Sequence, residues 1–547
     1  MHRAPIRAAS ARLPRPPAQR TAATLAGRKL RIGVVGGGPA GFYAASRLLS
    51  LPGSEHTRVD LFELLPVPFG LARFGVAPDH PEVKNCEHKF EETARDPRFR
   101  FFGNVQVCGS SDPSSSSDPS SSSATSVPNP HPSALAASIP LDTLRQHYDA
   151  VLLTYGASLD RPLGVPGEDT LLNVLSARTF VSWYNGHPYH SGLLSPTIDL
   201  SRLDHATIIG QGNVALDVAR VLLKGVDALR PYDVPEPVLA ALAQSRIKRV
   251  DIVGRRGPLQ LAATTKELRE MLALPGVAFE ADPALLAAAA ADVDAHPKMD
   301  GARAKKRALG HLRAGSKTTL ADADRSWSLE FLRSPVELVS SLEAGSHAPS
   351  AVEGITHPQS VGAVRYAHNE LVPSSSAPSS SSSPDPSTFS ARPTGSTSLS
   401  RTSLVLKSVG YRSIGLPGVP FDPRRGVVPH DGAGRVTTAD GEARGVVVPG
   451  LYTSGWLARG PTGVIATTMF DAFASADVLA GDLVAAGGGE AGEKPLLDPR
   501  RLEEGGRKVV RWEDWERIDQ VERERGKELG KLREKVTSVE AMLDLLG

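Results

Sequence analysis

One pattern occurs twice in this chain: a short apolar strand, a glycine turn and a helix. Residues 32–35 precede the turn GGGPAG (36–41), and residues 206–209 precede the turn GQGNVA (210–215). Such a turn between a buried strand and a helix lets backbone N–H groups at the helix N-terminus approach a phosphate. Two of these units predict an α/β fold with two Rossmann-like dinucleotide-binding domains.

The first turn matches the GxGxxG motif, with Gly36, Gly38 and Gly41 at its glycine positions. These glycines permit the tight turn, the close approach of a pyrophosphate and the packing of helix on strand. Glu63 ends the next apolar strand, where a carboxylate accepts ribose hydroxyl protons and repels a 2′-phosphate. The first domain is therefore expected to bind FAD or NAD rather than NADP. The alternative is a glycine turn without a ligand.

The second turn is followed by a different charge. Arg255 and Arg256 come directly after the strand at 249–253, where the first domain has its carboxylate. Arginine side chains bind phosphate groups through paired hydrogen bonds, so this domain is expected to prefer NADPH to NADH. A solvated arginine pair is the alternative. Glu267, on the following helix, could orient these arginines or meet the nicotinamide ribose, and a solvated position is equally compatible with its spacing.

A chain that binds FAD in one domain and NADPH in another is typical of a flavoprotein in which NADPH donates hydride to the flavin. Near the carboxyl end, Trp456 and Gly463 precede a helix whose N-terminus could face the flavin ring. Trp456 could cover the isoalloxazine or nicotinamide ring, or pack in the core.

Composition excludes several other classes. The 62 basic and 60 acidic residues give a net charge of only +2, so there is no overall charge typical of a nucleic-acid binder. The two cysteines, Cys86 and Cys108, are too few for a cysteine-bound zinc or iron–sulfur site and too far apart for a CxxC pair. No metal site is expected.

Three segments are expected to lie outside the folded domains. Residues 1–28 contain arginines but no acidic residue, which is typical of a mitochondrial transit peptide; a disordered basic tail is the alternative. Residues 110–126 contain 11 serines in 17 positions, and residues 374–390 contain 10 in 17. Such sequence buries too little apolar surface to fold, so disordered insertions are expected at about 109–133 and about 370–400, or alternatively flexible hinges.

Longer motifs carry a resemblance to a known family. PFGLARFGVAPDHPEVKN (68–85), GQGNVALDVAR (210–220), GRRGPLQ (254–260), KELREM (266–271) and SGWLARGPTGVI (454–465) closely resemble the adrenodoxin reductase family of mitochondrial NADPH:ferredoxin reductases. The resemblance implies a glutathione-reductase-like flavoprotein in which the NADP domain (159–403) is inserted into a discontinuous FAD domain (29–158 and 404–547). It also implies a mitochondrial location, in the matrix or peripherally on the inner membrane.

The resemblance also implies site residues. The expected FAD contacts are Ala40, Glu63, Leu71, Val107, Trp456, Gly463, Val464 and Ile465. The expected NADP contacts are Gln211, Gly212, Asn213, Val214, Arg255, Arg256, Glu267 and Gly463. With Trp456, the family's catalytic positions are His80 and Asp217, two polar residues near the flavin on a possible proton route; a loop histidine bonded to backbone is the alternative for His80.

The implied electron acceptor is a small acidic 2Fe-2S ferredoxin, which takes one electron at a time. Residues 301–321 contain no carboxylate, and their basic side chains include Arg303, Lys305, Lys306 and Arg307. Such a patch would attract an acidic partner, although a solvated basic helix has the same composition. A flavin monooxygenase, an NADPH oxidase, a disulfide reductase or a subunit holding flavin only for stability are the alternative functions. The missing CxxC motif argues against the disulfide reductase.

Overall fold

The computed structural model describes residue 25 and residues 29–109, 135–194, 199–345, 360–373, 385–438, 445–487, 494–504 and 506–547. Most of the expected transit segment and the first serine tract lie outside these residues. Leu25 departs from the expectation that nothing before residue 29 belongs to the fold. It is buried in the core of the first domain, and its backbone N–H donates to Pro52 O at 2.9 Å.

The strands have the following bounds: β1 Arg31–Val35, β2 Arg58–Phe62, β3 Phe99–Phe102, β4 Val105–Cys108, β5 Ala137–Pro140, β6 Ala150–Leu153, β7 Leu159–Asp160, β8 Val174–Ser176, β9 His205–Ile209, β10 Arg249–Val253, β11 Val277–Ala281, β12 Arg325–Glu330, β13 Arg333–Ser340, β14 Val361–Val372, β15 Ser390–Arg401, β16 Leu404–Lys407, β17 Tyr411–Arg412, β18 Arg435–Thr437 and β19 Val447–Thr453.

The α-helices have the following bounds: α1 Pro39–Leu49, α2 Leu71–Phe74, α3 Cys86–Ala94, α4 Leu141–His147, α5 Ala177–Tyr184, α6 Pro188–Leu194, α7 Asn213–Leu223, α8 Glu236–Ala243, α9 Thr265–Leu272, α10 Pro283–Ala295, α11 Ala302–Ala314, α12 Trp456–Arg459, α13 Ile465–Ala485, α14 Trp512–Glu528 and α15 Val539–Asp544.

The first sheet takes its strands from both ends of the chain, in the order β18-β19-β6-β1-β2-β3. Pairing is parallel except between β18 and β19. Strand β1 is central because its apolar residues are buried on both faces, with Val34 paired to Leu61 and Leu152. The carboxyl ends of β1, β6 and β19 therefore lie together, and α1 packs against α13 beside them.

The second sheet is parallel throughout, in the order β11-β12-β10-β9-β16-β8. Its core includes the buried side chains of Ile208, Leu216 and Trp327. Strand β16 pairs with β9 and β8, so the second domain extends beyond residue 403, the end expected from the sequence. Residues 404–406 are apolar and buried, and β16 completes this sheet rather than beginning the next domain.

Strands β13, β14 and β15 form a separate antiparallel sheet attached to the second domain. The expectation of a disordered insertion over about 370–400 is wrong for residues 370–373 and 385–400, because β14 extends to Val372 and β15 pairs with it along most of its length. The exposed, serine-rich β15 needs no apolar core of its own, since its backbone bonds to the partly buried β14. Residues 374–384 of this tract lie outside the described part.

The chain passes between the two domains through neighbouring segments. Strand β7 pairs antiparallel with β17, Leu159 opposite Arg412 and Asp160 opposite Tyr411. This two-stranded ribbon joins the two domains. Within the part of the chain that the structure describes, no helix has both the length and the apolarity to cross a bilayer.

Candidate dinucleotide sites and the charged cluster between them

The first glycine turn follows β1 and leads into α1. Gly36 has a φ of +113°, and a Cβ there would lie 2.6 Å from the backbone of Tyr155. A Cβ on Gly41 would lie 2.1 Å from Gly36 O, whereas one on Gly38 would meet nothing within 4 Å. Two of the glycines therefore allow close backbone packing, and Gly38 lies beside open space at the start of α1. No acidic residue and no side-chain cap occupies the first turn of α1.

Glu63 lies directly after β2, beside the glycine turn. Its carboxylate accepts the N–H groups of Gly37 at 2.6 Å and Leu65 at 3.0 Å. Burial raises the pKa of Glu63, and these backbone N–H groups oppose that shift. Because a carboxylate has about four acceptor positions, Glu63 keeps capacity for ribose hydroxyl groups.

The carboxyl-terminal part of the chain closes the first site from the other side. A Cβ on Gly455, at a φ of +65°, would lie 2.8 Å from the Cβ of Ala40. Trp456 begins α12 immediately afterwards; it is half-buried, and its ring centroid lies 5.9 Å from that of Tyr411 on the interdomain ribbon. Residues of both chain ends thus meet at the N-terminus of α1, as a discontinuous FAD domain requires.

The other expected FAD contacts lie around this turn. Gly70, which precedes Leu71 at the start of α2, approaches Gly38, since a Cβ on Gly70 would lie 3.1 Å from Gly38 Cα. Val107 is half-buried on β4. Gly463 and Val464 are exposed at the start of α13, which packs on α1, and Ile465 is its first residue.

FAD fits the residues of this site. The hydroxyl oxygens of Thr453 and Ser454, at the end of β19, are buried without a hydrogen-bond partner among the described residues. The open space at Gly38 and the uncapped helix start suit a pyrophosphate, and Glu63 suits a ribose. These polar groups therefore match a dinucleotide with a free 2′-hydroxyl.

The second glycine turn repeats this construction. Gly210 has a φ of +121° and a Cβ on it would lie 2.1 Å from Ser408 O, whereas a Cβ on Gly212 would meet nothing within 4 Å. Gln211 lies under the turn, because its amide nitrogen donates to Ile252 O and Glu330 O at 3.2 and 3.0 Å. Asn213 accepts from Thr264 N at 2.8 Å. Val214 is half-buried in the first turn of α7.

Arg255 and Arg256 are exposed in the loop after β10. Among the described residues neither guanidinium forms an ion pair with a carboxylate. Burial of part of the side chain, together with the neighbouring charge of Arg255, lowers the pKa of Arg256. Two adjacent, unneutralised guanidinium groups make this loop a favourable place for a phosphate. The residues therefore fit NADP as well as those of the first domain fit FAD.

His80, Asp217 and Glu267 meet in one charged cluster between the domains. His80 is buried; its Nε2 lies 2.8 Å from Glu270 Oε2, and its Nδ1 lies 3.9 Å from Glu267 Oε1. Asp217 Oδ1 lies 2.7 Å from Nη2 of Arg220. The interpretation of His80 as a histidine bonded only to backbone is not what the structure describes, since carboxylates of α9 surround it.

Arg220 is the centre of this cluster, and sequence reasoning missed it. Its guanidinium contacts Asp79 at 2.9 Å and Glu267 at 3.2 Å, besides Asp217. The motif 210–220 ends at Arg220, but only the fold brings Asp79 to it. His80, Glu267 and Glu270 also place their ligand atoms within 4.8 Å of one another, an arrangement compatible with a metal ion. Because Arg220 already supplies a cation there, we assign the group to the ion-pair network.

The protonation states of this cluster follow from burial and charge. Burial raises the pKa of Asp217, although the guanidinium of Arg220 opposes the shift. Burial and the charge of Asp217 raise the pKa of Glu267. Burial also disfavours ionised Asp79, but hydrogen bonds and charges of Arg220 and Lys224 prevail and hold its pKa well below the usual range. The pKa of Asp79 is thus lowered, whereas burial raises those of Asp217 and Glu267.

The basic patch forms the helix α11, on the outside of the second domain. Arg303, Lys306 and Arg307 are exposed, and Lys305 is half-exposed. Lys306 pairs with Asp294 at 2.7 Å, and Lys305 Nζ donates to Asp300 O at 2.6 Å. Arg303 and Arg307 lie four residues apart, on one face of the helix.

Two Rossmann-like domains, one with a carboxylate and the other with two guanidinium groups near its glycine turn, and a charged cluster between them define a flavoprotein reductase that uses FAD and NADP. Comparisons with known proteins then specify the family. The mitochondrial NADPH:adrenodoxin oxidoreductase of Bos taurus is 41% identical over 532 residues, covering 94% of this chain and 92% of the relative. That of Arabidopsis thaliana is 37% identical over 525 residues, covering 94% and 95%. This chain belongs to the NADPH:adrenodoxin oxidoreductase family.

A solved structure agrees with this assignment. Mycobacterium tuberculosis FprA in complex with NADPH has a TM-score of 0.75 and 35% identity, covering 95% of this chain and 100% of FprA. No family model matches the chain. The predicted fold class, the family and the use of FAD and NADP are confirmed. The individual contacts expected for each residue remain predictions.

Proposed function

We propose that this protein is a mitochondrial NADPH:ferredoxin oxidoreductase that passes electrons singly to a small acidic 2Fe-2S ferredoxin. The observation that carries the proposal is the pair of glycine cradles in one chain, with Glu63 beside the first and Arg255 and Arg256 beside the second. FAD bound in the first cradle would accept a hydride from NADPH and release its electrons one at a time.

The chain's own residues bind and orient the two nucleotides. The uncapped N-termini of α1 and α7 favour pyrophosphate groups. Glu63 accepts hydrogen bonds from ribose hydroxyls, and the guanidinium groups of Arg255 and Arg256 bind the 2′-phosphate. Trp456 is half-buried, with its ring centroid 5.9 Å from that of Tyr411 on the interdomain ribbon, and its proposed task is to cover the isoalloxazine or nicotinamide ring.

The charged cluster supplies the proton chemistry. Asp217 and Glu267 have raised pKa values because they are buried, so they hold protons more readily than exposed carboxylates. His80 lies between Glu267 and Glu270, with its Nε2 2.8 Å from Glu270 Oε2 and its Nδ1 3.9 Å from Glu267 Oε1. We assign to these residues the task of matching proton movement to the change of charge on the flavin.

The ferredoxin is proposed to dock on α11. Its exposed Arg303 and Arg307, with Lys305 and Lys306, present positive charge to an acidic partner. The mitochondrial names of the relatives support a mitochondrial location for this protein, in the matrix or peripherally on the inner membrane.

Anaerobic stopped-flow spectroscopy tests the proposal. NADPH should bleach the flavin absorbance of the purified protein, and a mitochondrial 2Fe-2S ferredoxin added next should be reduced while the absorbance returns. The control replaces ferredoxin with air-saturated buffer. Flavin that reoxidises in air as fast as with ferredoxin would indicate an oxidase or monooxygenase instead, and a flavin that NADPH does not bleach would refute the reductase assignment.

A further inference from the structure

Three carbonyl oxygens of the arginine loop, residues 254–257, accept hydrogen bonds from neighbouring groups of the second domain. Gly254 O accepts from Arg333 N at 3.0 Å, and Arg256 O accepts from Leu332 N at 3.2 Å. The third, Arg255 O, accepts from Nδ2 of the Asn369 side chain at 3.0 Å. The first two donors are backbone N–H groups, which remain when a side chain is substituted. The Asn369 amide is therefore the one donor of the three that a substitution can remove.

Asn369 is itself fixed in one orientation. It is only 6% exposed, and its backbone N–H donates to Leu332 O at 2.8 Å. Its Nδ2 also donates to Ser334 Oγ at 2.9 Å. The residue lies on β14, where a register shift between Ala367 and Asn369 interrupts the pairing with β15. The amide is therefore anchored to Ser334 on β13 while it donates to the carbonyl of the peptide between Arg255 and Arg256.

The orientation of that peptide matters for binding an anion. A carbonyl oxygen carries partial negative charge, so a carbonyl of Arg255 that turned toward a phosphate would repel it. With all three carbonyls bonded to the β13 and β14 side, the loop keeps its backbone fixed while its two guanidinium groups remain exposed. Preorganisation of this kind increases affinity because less conformational freedom is lost on binding.

We propose that Asn369 is a positioning residue for selectivity toward the 2′-phosphate, acting through the peptide that joins Arg255 to Arg256. The inference rests on the proposed function of those two arginines. It assigns to the β14–β15 hairpin, the element that carries the second serine tract, a part in distinguishing NADPH from NADH.

The test is titration calorimetry on the FAD-loaded protein with two probes, 2′,5′-ADP and 5′-AMP, which differ in the 2′-phosphate. Asn369→Leu keeps the side-chain size and removes the donor; Asn369→Ala serves if the leucine variant does not fold. We expect the affinity for 2′,5′-ADP to fall about three- to tenfold, the effect of one hydrogen bond, with the affinity for 5′-AMP unchanged within about twofold. Equal loss for both probes, or no loss for either, would overturn the inference.

Thr402→Val is the matched control. Thr402 is buried in the same domain, and its hydroxyl lies 3.0 Å from Leu404 O and 3.3 Å from His205 O, so its removal, like that of the Asn369 amide, costs buried side-chain hydrogen bonding to two acceptors. The ratio of the two affinities should stay at the parent value in this variant. A ratio that falls as far as in Asn369→Leu would show that any weakening of the domain has this effect, and would overturn the inference.

An arginine-free background separates the inference from the proposed function. Arg255→Ala with Arg256→Ala should by itself abolish most of the preference for 2′,5′-ADP; if it does not, the phosphate assignment fails and the inference with it. If the arginine variant loses the preference but Asn369→Leu keeps it, only the inference fails. In the arginine-free background Asn369→Leu should cause no further change in the ratio, and an additional loss there would contradict action through the arginines.

Discussion

Arg220 and Asp79 join the two domains through a doubly hydrogen-bonded ion pair. Nε of Arg220 lies 2.9 Å from Oδ2 of Asp79, and Nη2 lies 3.0 Å from Oδ1. Arg220 lies on α7 of the second domain, Asp79 lies in the loop after α2 of the first, and both side chains are only 2% exposed. The two domains therefore share a buried, charged connection.

Replacing Arg220 by methionine should strongly destabilise the protein. The substitution leaves Asp79, Asp217 and Glu267 without their shared guanidinium, and removal of one partner of a buried ion pair costs about 3–5 kcal/mol. Urea unfolding monitored by flavin and tryptophan fluorescence measures the loss. Arg47→Met is the control, because its pair with Asp477 is 32% and 46% exposed and should contribute about 0–1 kcal/mol. A similar cost for both variants would contradict the importance of the interdomain pair.

The stabilisation from Asp79 should depend on acid pH. Its pKa in the folded protein is lowered by Arg220 and Lys224 despite the opposing effect of burial, whereas the unfolded value is about 3.9. A group with a lowered folded-state pKa contributes fully above the unfolded-state value, and the contribution is lost as the pH falls through the folded-state value. The difference in unfolding free energy between the parent and Asp79→Asn should therefore be constant from about pH 7 to about pH 5.

Below about pH 4 that difference should shrink. Urea unfolding at pH 7, pH 5 and pH 3.5 provides the measurement, with Asp477→Asn as the half-exposed comparison. A difference that already declines between pH 7 and pH 5 would mean that Asp79 is not held as an anion.

The sequence predicts local features of this protein well and long-range ones poorly. The turns at Gly36 and Gly210 were predictable because strand, turn and helix are contiguous, and Glu63 lies at the end of the adjoining strand. Arg220 was not, because its partner Asp79 is 141 residues away in the chain. Strand β15 was mistaken for disorder because composition reports whether a segment can build its own core, not whether a neighbour's backbone will pair with it.

Removing both arginines of the proposed phosphate site should change cofactor selectivity rather than turnover. With Arg255→Ala and Arg256→Ala the KM for NADPH should rise about 10²- to 10⁴-fold, because each charge-assisted hydrogen bond is worth about 1.5–3 kcal/mol. The KM for NADH should stay almost unchanged. Steady-state assays with ferricyanide as acceptor measure both values without ferredoxin. Arg333→Ala is the control, since the Arg333 side chain is paired with Glu330 at 3.1 Å near the same loop. If the double arginine variant lost activity equally with NADPH and NADH, phosphate selection by Arg255 and Arg256 would be refuted.

Charge reversal on α11 should slow electron transfer to ferredoxin but not to a small acceptor. Arg303→Glu with Arg307→Glu is the cleanest change, because Lys305 and Lys306 bond to neighbouring groups of the same domain. An acidic partner attracted by this face should be reduced about tenfold more slowly at low salt. The difference should diminish as added salt screens the charges. Stopped-flow reduction of ferredoxin, with ferricyanide in parallel, provides the measurement.

The control of equal charge change is Arg58→Glu with Arg501→Glu, at two exposed arginines of the first domain. If that control slows ferredoxin as much, net charge and not α11 governs the encounter; if ferricyanide slows equally, the α11 variant has damaged the catalytic site.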